Sequence, residues 1–324
     1  MSQVSQVSHL SFDRDLSAAQ TDAAQLAEKR ERLAARAKML AVLRAWFERN
    51  GFLEIESPVR LPAPALEDYI DAVESGAGRW LRTSPELHLK RLLAAGYERI
   101  YEIGPCFRAG ESGDHHREEF TMLEWYRRGG SWRDLMADAQ EMIRAAIAVI
   151  HPGKNALPFR GKMIHFDGAW QELSVSDAFD RYAEMPLDEA IRRGEFELQL
   201  CEKVEPHLGN DMPLFLTEYP VECSGLSAPL PGKPGFVARW ELYVAGLEIG
   251  NACSELVDPP EQERRFDATA ELRAREGRPV YPMDQPFMNA IWNGLAPSAG
   301  TAIGLDRLAM VLTNAADIAE VRAF

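Results

Sequence analysis

The chain has 324 residues, 46% of them hydrophobic and 27% charged, a balance that excludes a wholly disordered polypeptide. Asp+Glu at 50 exceeds Lys+Arg at 36, for a net charge of −14. A field of that sign does not hold nucleic acid, although a local basic patch stays compatible with RNA. No apolar run reaches the ~18 residues of a membrane span. Met1 to Leu10 is polar, without the basic start and apolar stretch of a secretory signal, so a cytoplasmic protein with no membrane partner is expected. Cys106, Cys201, Cys223 and Cys253 stand far apart and form no CxxC pair, which suits free, packed thiols.

Residues 1–20 are Ser/Gln/Asp-rich and read as a mobile tail, leaving 21–324 as one catalytic-sized domain. Apolar spacing predicts a helix from about Asp22 to Asn50, closed by Gly51. Arg30, Arg32, Arg36 and Lys38 give it a small basic face that suits a partner. A short alternating strand, 52–58, stops at Pro58. Ser84-Pro85-Glu86 opens a helix through Leu93, with Ser84 as cap. Residues 99–108 and 119–127 predict two strands around a polar loop, and Ser131 caps a helix to about Ile150. The stretch 151–235 is a mixture of short elements without a motif. Strands return at 236–256, a charged helix spans about Pro260 to Gly277, and 300–314 read as a glycine-punctuated strand turning into a helix. Short loops between strand pairs predict an antiparallel α+β domain rather than a doubly wound sheet.

Chemistry concentrates in three segments. In the first, Arg108 sits where a strand meets a Gly-bearing loop, and its planar fork suits phosphate or carboxylate. Alternation on the return strand puts Phe120, Met122, Glu124 and Tyr126 on one face, where Glu124 must find a partner; a sheet-edge Glu–Arg pair would also satisfy it. The second segment, 239–256, predicts a hairpin turning at Ala245-Gly246, with Val244 opposite Leu247 and Tyr243 opposite Glu248. Glu241 and Glu248 are then diagonal neighbours, about 7–8 Å apart, able to share a divalent ion or to stay solvated. Strict alternation would send Asn251, Cys253 and Glu255 to the opposite face, so a bulge near Gly250 is expected to bring both sets together. Glu255 would then receive a cation such as a substrate ammonium. In the third, Gly304 allows close approach of a flat ligand and Arg307 begins a helix nearby. His115 and His116 read as polar loop residues rather than metal ligands.

Together these segments resemble the three signature motifs of class II aminoacyl-tRNA synthetases: residues 51–58, then Phe107-Arg108 through Glu119-Phe120-Thr121-Met122-Leu123-Glu124, then Gly300 to Arg307. Ser84-Pro85-Glu86-Leu87-His88-Leu89-Lys90-Arg91-Leu92-Leu93, Glu124-Trp125-Tyr126, Glu248-Ile249-Gly250-Asn251 and Ser254-Glu255-Leu256 resemble the lysyl branch over about residues 30–324. Only about fifty residues precede the first motif, and they read as helix, so the five-stranded anticodon-binding barrel of that branch does not fit there. In this the chain is similar to the elongation factor P–(R)-β-lysine ligases.

The resemblance implies an antiparallel sheet flanked by helices, ATP and Mg²⁺ as cofactors, a homodimer through the first motif, elongation factor P as acceptor of the aminoacyl group, and tRNA as an unlikely partner. It assigns Arg108 to the α-phosphate and substrate carboxylate, Arg307 to the γ-phosphate, Phe120 to adenine, and Glu241 and Glu248 to Mg²⁺. Backbone groups of Ala109, Gly110 and Ile249 touch ATP, with room left by Gly304. Ser84, Pro85, Glu86, Glu124, Tyr126, Asn251, Glu255 and Ala302 form the amino-acid pocket. The chain departs from the family pattern at Ala109-Gly110, with Glu111 taking over the adenine contact, and at Arg117, which replaces an ATP-contacting Asn. Cys253 replaces an aromatic residue, and Ala302 replaces the Gly of lysyl-tRNA synthetases. Charging of tRNA with lysine, or a silent regulatory paralogue, remain as alternatives.

Overall fold

A computed structural model describes residues 16–324 apart from Ser224, and the side chains from residue 22 onward. Most of the tail expected at 1–20 lies outside the described residues; its end is already helical. The chain opens with α1 (Leu16–Glu28) and α2 (Arg30–Arg49), then β1 (Leu53–Glu54) and a small ladder of β2 (Arg60–Leu61) with β3 (Trp80–Leu81). After α3 (Glu86–Ala94) come β4 (Arg99–Phe107), β5 (Glu119–Arg128) and α4 (Trp132–Ile150). The middle holds the hairpin β6 (Ala156–Phe159) and β7 (Lys162–His165), then β8 (Gln171–Ser174), α5 (Val175–Tyr182), α6 (Leu187–Arg193), α7 (Phe196–Gln199) and β9 (Leu214–Pro220). The last third is β10 (Phe236–Val244), β11 (Leu247–Ser254), α8 (Pro259–Arg275), α9 (Gln285–Trp292), β12 (Ser298–Gly304) and α10 (Leu305–Thr313).

One eight-stranded sheet organises these elements in the order β1-β4-β5-β12-β11-β10-β9-β8. The six central strands are antiparallel, and only the edge strands β1 and β8 pair in parallel. The α+β expectation therefore holds. Alternation gives the sheet two different faces. Leu123, Trp125, Trp240, Leu242, Ala252 and Ile303 point into the main core beneath α2, α4 and α10. On α2, Met39, Leu43, Trp46 and Phe47 recur at helical spacing and are buried, and Phe47 stacks on Tyr101 with ring centroids 4.3 Å apart. Ser131 and Asp134 close a capping box at the start of α4.

The single helix expected from Asp22 to Asn50 is two helices, broken at Lys29. Half of its basic face is taken: Arg32 pairs with Glu320, and Arg36 with Asp306 and Thr121, fastening α2 to α10 and the chain's end, while Arg30 and Lys38 stay exposed. The strand expected at 52–58 shrinks to Leu53–Glu54. Beyond it, the Ser57 hydroxyl and Arg82 both reach Glu102 and draw the chain away from the ladder. Pro85 caps α3 one place ahead of its expected position, and the Ser84 hydroxyl accepts the Glu86 N–H at 3.4 Å. Among the described cysteines none is disulfide-bonded, but Cys201 is exposed rather than packed. No helix of the described residues is long and apolar enough to cross a membrane.

Candidate active site

The face of the sheet opposite the core carries the predicted residues. Cross-strand register aligns Glu241, Asn251, Ala302, Glu124 and Glu102 in one row, and Arg239, Cys253, Gly300 and Tyr126 in the next. The β10–β11 hairpin turns at Ala245-Gly246 with Val244 opposite Leu247 and Tyr243 opposite Glu248, as the sequence predicts. Between the Leu242–Gly250 and Tyr243–Glu248 pairs, Ile249 is an extra residue. That bulge turns Glu248 to the same face as Asn251 and Cys253, which strict alternation forbids. Gly250 is obligatory beside it, because a Cβ there would lie 2.3 Å from the Ala302 carbonyl oxygen.

A cavity opens at one end of this face, lined by Arg108, Glu111, His116, Phe120, Glu248 and Arg307 among others. The Arg108 guanidinium lies 5.1 Å from the Phe120 ring centroid and 3.8 Å from Glu111, and its buried Nε has no partner among the described residues. Arg307, in the first turn of α10, donates to the Glu248 carbonyl at 2.9 Å and carboxylate at 3.2 Å, to the His115 carbonyl, and to His116 Nε2 at 2.6 Å. An arginine only donates, so His116 is neutral there. Burial and then the Arg307 charge hold the His116 pKa below its ordinary value. Asp306 stands behind Arg307, accepting from Arg36, Arg322 and the Thr121 N–H.

Several groups expected at the nucleotide have partners within the protein. The Ala109 N–H donates to the Asp71 carbonyl and the Gly110 N–H to Glu118, so neither faces the cavity as a free donor. Gly304 has φ −73°, and a Cβ there would meet only ordinary contacts at 3.8 Å, so the protein itself does not require glycine at this position. Arg117 reaches the cavity rim but is drawn to Asp317 at 3.3 Å. Ile249 does line the cavity.

The two carboxylates singled out for a metal differ. Glu248 faces the cavity. Glu241 is buried and accepts from the Tyr219 and Tyr243 hydroxyls and from Arg239. Burial raises the Glu241 pKa against the pull of Arg239, with Glu248 adding repulsion. Glu205 joins them through Tyr243, its pKa pushed up to about 7 by burial and by these two neighbours. Among the described residues no group of three or more His, Cys, Asp or Glu has the arrangement of a self-sufficient metal site. An ion here would take one or two carboxylates and complete its shell from phosphates and water, which is how Mg²⁺ is commonly held.

Further along the same face lies an acidic pocket. Lys90, buried in α3, places its ammonium 2.5 Å from both Glu86 and Glu255. Tyr126 donates to Glu124 at 2.6 Å. One Oε2 of Glu124 is buried with no partner among the described residues. Burial, with Glu86 nearby, lifts the Glu124 pKa well above the ordinary range; burial opposed by Lys90 lifts Glu255 to about 7. Gly300 makes room, since a Cβ there would strike the Tyr126 ring at 2.1 Å and Glu255 at 2.5 Å. Three carboxylates share one fixed cation, so the pocket can take further positive charge. Lys90, Gly300, His116 and Asp306 carry no predicted role. The signal for Lys90 was present: a charge among Leu87, Leu89 and Leu93 on a buried helix face.

Residues 16–324 match the family model of class II tRNA synthetases (D, K and N). The chain belongs to that family. It is similar to the lysine–tRNA ligase of Magnetococcus marinus, 32% identical over 323 residues, with 92% of this chain and 64% of the relative covered. The corresponding ligase of Chloroflexus aurantiacus is 33% identical over 324 residues, covering 92% and 65%, and that of Moorella thermoacetica 34% over 314 residues, covering 89% and 64%. The chain thus spans somewhat under two thirds of the length of these relatives.

Proposed function

We propose that the protein activates a diamino acid, lysine or (R)-β-lysine, with ATP to form an aminoacyl adenylate, and passes the aminoacyl group to a lysine ε-amino group of elongation factor P. One observation carries the activation step: a single sheet face runs from a basic end, Arg108 and Arg307, to an acidic end, Glu86, Glu124 and Glu255. A molecule with a carboxylate at one end and an ammonium at the other fits that polarity. Arg108 would hold the α-phosphate beside the amino-acid carboxylate, and Phe120 with Glu111 would receive the adenine. Arg307 would hold the γ-phosphate. Glu124, Tyr126 and Glu255 would take the distal ammonium, while Ser84-Pro85-Glu86, Asn251 and Ala302 shape the pocket. Mg²⁺, held by Glu248 with Glu241 behind it, would neutralise phosphate charge.

The carboxylate oxygen attacks the α-phosphorus in line, the bond to the bridging oxygen breaks, and pyrophosphate leaves with the electron pair. The acceptor amine then attacks the acyl carbon, AMP departs and the amine loses its proton. Positioning and charge neutralisation suffice, and no protein nucleophile is required. The choice of elongation factor P rests on Glu124-Trp125-Tyr126 and on Ala302 in the pocket floor, the points of resemblance to the β-lysine ligases. A second acceptor, tRNA, is favoured by the similarity to lysine–tRNA ligases. Transfer of labelled lysine or (R)-β-lysine to elongation factor P and to tRNA, side by side with ATP, decides between them. Label on the protein supports this assignment, label on tRNA alone replaces it, and label on neither without pyrophosphate exchange removes the activity.

A further inference from the structure

The loop between β4 and β5 carries Arg108 at its start and His116 near its end. Its base is closed by the Arg108 N–H, which donates to the Glu118 carbonyl at 2.8 Å. Its tip is a tight turn in which Gly113 and His116 exchange two backbone hydrogen bonds, at 3.2 and 3.3 Å. On the cavity side Arg307 grips that tip, donating to the His115 carbonyl at 3.2 Å and to His116 Nε2 at 2.6 Å. Ser112, Gly113 and Asp114 are exposed, and a polar surface loop held at one side only swings about its base. The second hold comes from residues 317–320. Arg117 forks: Nη1 donates to the Gly113 carbonyl at 3.1 Å and the His116 carbonyl at 3.4 Å, while Nη2 pairs with Asp317 Oδ1 at 3.3 Å. Beside it the Ile318 N–H donates to the Asp114 carbonyl at 2.8 Å. Asp317 is itself fixed, accepting the Ala319 N–H at 2.7 Å and closing a capping box with Glu320 on the 3₁₀ turn Ile318–Val321. Ile318 and Val321 are buried in the main core, and Glu320 reaches Arg32 of α2 at 2.9 Å, so the anchor is rigid.

A planar fork can serve the turn and the carboxylate at once, which the point charge of an ammonium does less well. The Arg117 and Asp317 side chains are 36% and 42% exposed, so their pair adds little to global stability. Its effect is local: it decides where the tip sits. We propose that Arg117 and Asp317 are positioning residues for the nucleotide end, holding the loop so that His116 and Arg307 stay bonded to each other and present one fixed donor set to the phosphates. This rests on ATP binding in the cavity, as assigned above, and goes beyond it: Arg117 acts through the loop and touches no phosphate. The sign of one substitution separates the two roles. Were Arg117 a phosphate ligand, Asp317 would compete with ATP for it, and neutralising Asp317 would tighten ATP. In a positioning pair, neutralising Asp317 loosens the tip and weakens ATP.

The test uses the full chain. Asp317→Asn removes the charge and keeps the cap, because an Asn oxygen accepts the same N–H. The dissociation constant for MgATP, measured by calorimetry, should rise roughly two- to fivefold, the range open to an exposed pair. Arg117→Met should raise it at least as far, and adding Asp317→Asn to Arg117→Met should raise it no further, because the pair is already gone. KM for lysine or (R)-β-lysine in ATP–pyrophosphate exchange and the thermal midpoint should hold at wild-type values. Weaker MgATP binding in Arg117→Met with unchanged or tighter binding in Asp317→Asn overturns the inference in favour of a direct phosphate contact. Unchanged binding in both single variants overturns it, as do additive effects in the double variant. Equal weakening of ATP and diamino acid also overturns it, being the mark of a loosened domain. A wild-type protein that binds MgATP without exchange overturns the activation alone, and the inference is then decided by the dissociation constants. A wild-type protein that does not bind MgATP overturns both.

Discussion

The Lys90 ammonium lies 2.5 Å from Glu255 Oε2, with both side chains shut off from solvent. It fixes one positive charge beside the carboxylates Glu86, Glu124 and Glu255. Removing it as Lys90→Met leaves Glu86 and Glu255 uncompensated, and breaking a buried pair in this way costs about 3–5 kcal/mol. Chemical denaturation at pH 7 should show that loss. The deficit should shrink in acid. Glu255 has a folded pKa near 7 against an ordinary 4.5, so its contribution is present at low pH and is lost as pH rises through about 7.

The same raised pKa predicts the pH dependence of substrate capture. An ammonium binds the ionised carboxylate, and the free protein ionises Glu255 only around neutrality. KM for lysine should therefore fall as pH rises from 6 to 8, by roughly tenfold, because the distal ε-ammonium assigned to Glu255 stays protonated over that range. Exchange kinetics at saturating ATP measure it; a flat profile would remove Glu255 from the binding step.

Arg108 is a cavity-lining cation with a buried nitrogen left unpaired among the described residues, and its guanidinium lies over the Phe120 ring. Arg108→Ala should lower the exchange rate by about 10²-fold or more, the scale expected when a preorganised donor to developing charge is lost. Thermal stability should barely change, since Glu111 at 3.8 Å is its nearest ion-pair partner.

Glu248 and Glu241 should separate under mutation. Glu248→Gln is expected to raise the Mg²⁺ concentration for half-maximal exchange by roughly tenfold, consistent with Mg²⁺ being held by one or two carboxylates. Glu241→Gln should destabilise the fold instead, because buried Tyr219 and Tyr243 and half-buried Arg239 all converge on that carboxylate. A titration of Mg²⁺ and a denaturation curve for each variant distinguish the two effects.

Gly300→Ala should injure the pocket without touching the nucleotide end. The added methyl meets the Tyr126 ring and Glu255, and overpacking of this kind costs about 1–3 kcal/mol. KM for the amino acid should rise while KM for ATP holds.

Much of this protein is legible from the order of its residues. Alternation from Phe120 to Tyr126 separates a core face bearing Trp125 from a site face bearing Glu124, because side chains on a strand repeat every second residue. The Ala245-Gly246 turn fixes which residues of β10 and β11 face each other, and the conflict between Glu248 and Asn251 announces the bulge. Those features are local, and local periodicity carries them. What the tertiary structure decided lies in contacts between distant segments. Lys90 of α3 meets Glu255 at the end of β11, Arg273 of α8 ties down the loop bearing Glu67, and Arg36 of α2 turns away from solvent to hold Asp306. A buried charge must find its counterpart wherever the fold brings one, and spacing along the chain does not encode that meeting. For the same reason the N–H groups of Ala109 and Gly110, residues whose backbone the family resemblance brings to ATP, are found bonded to Asp71 and Glu118.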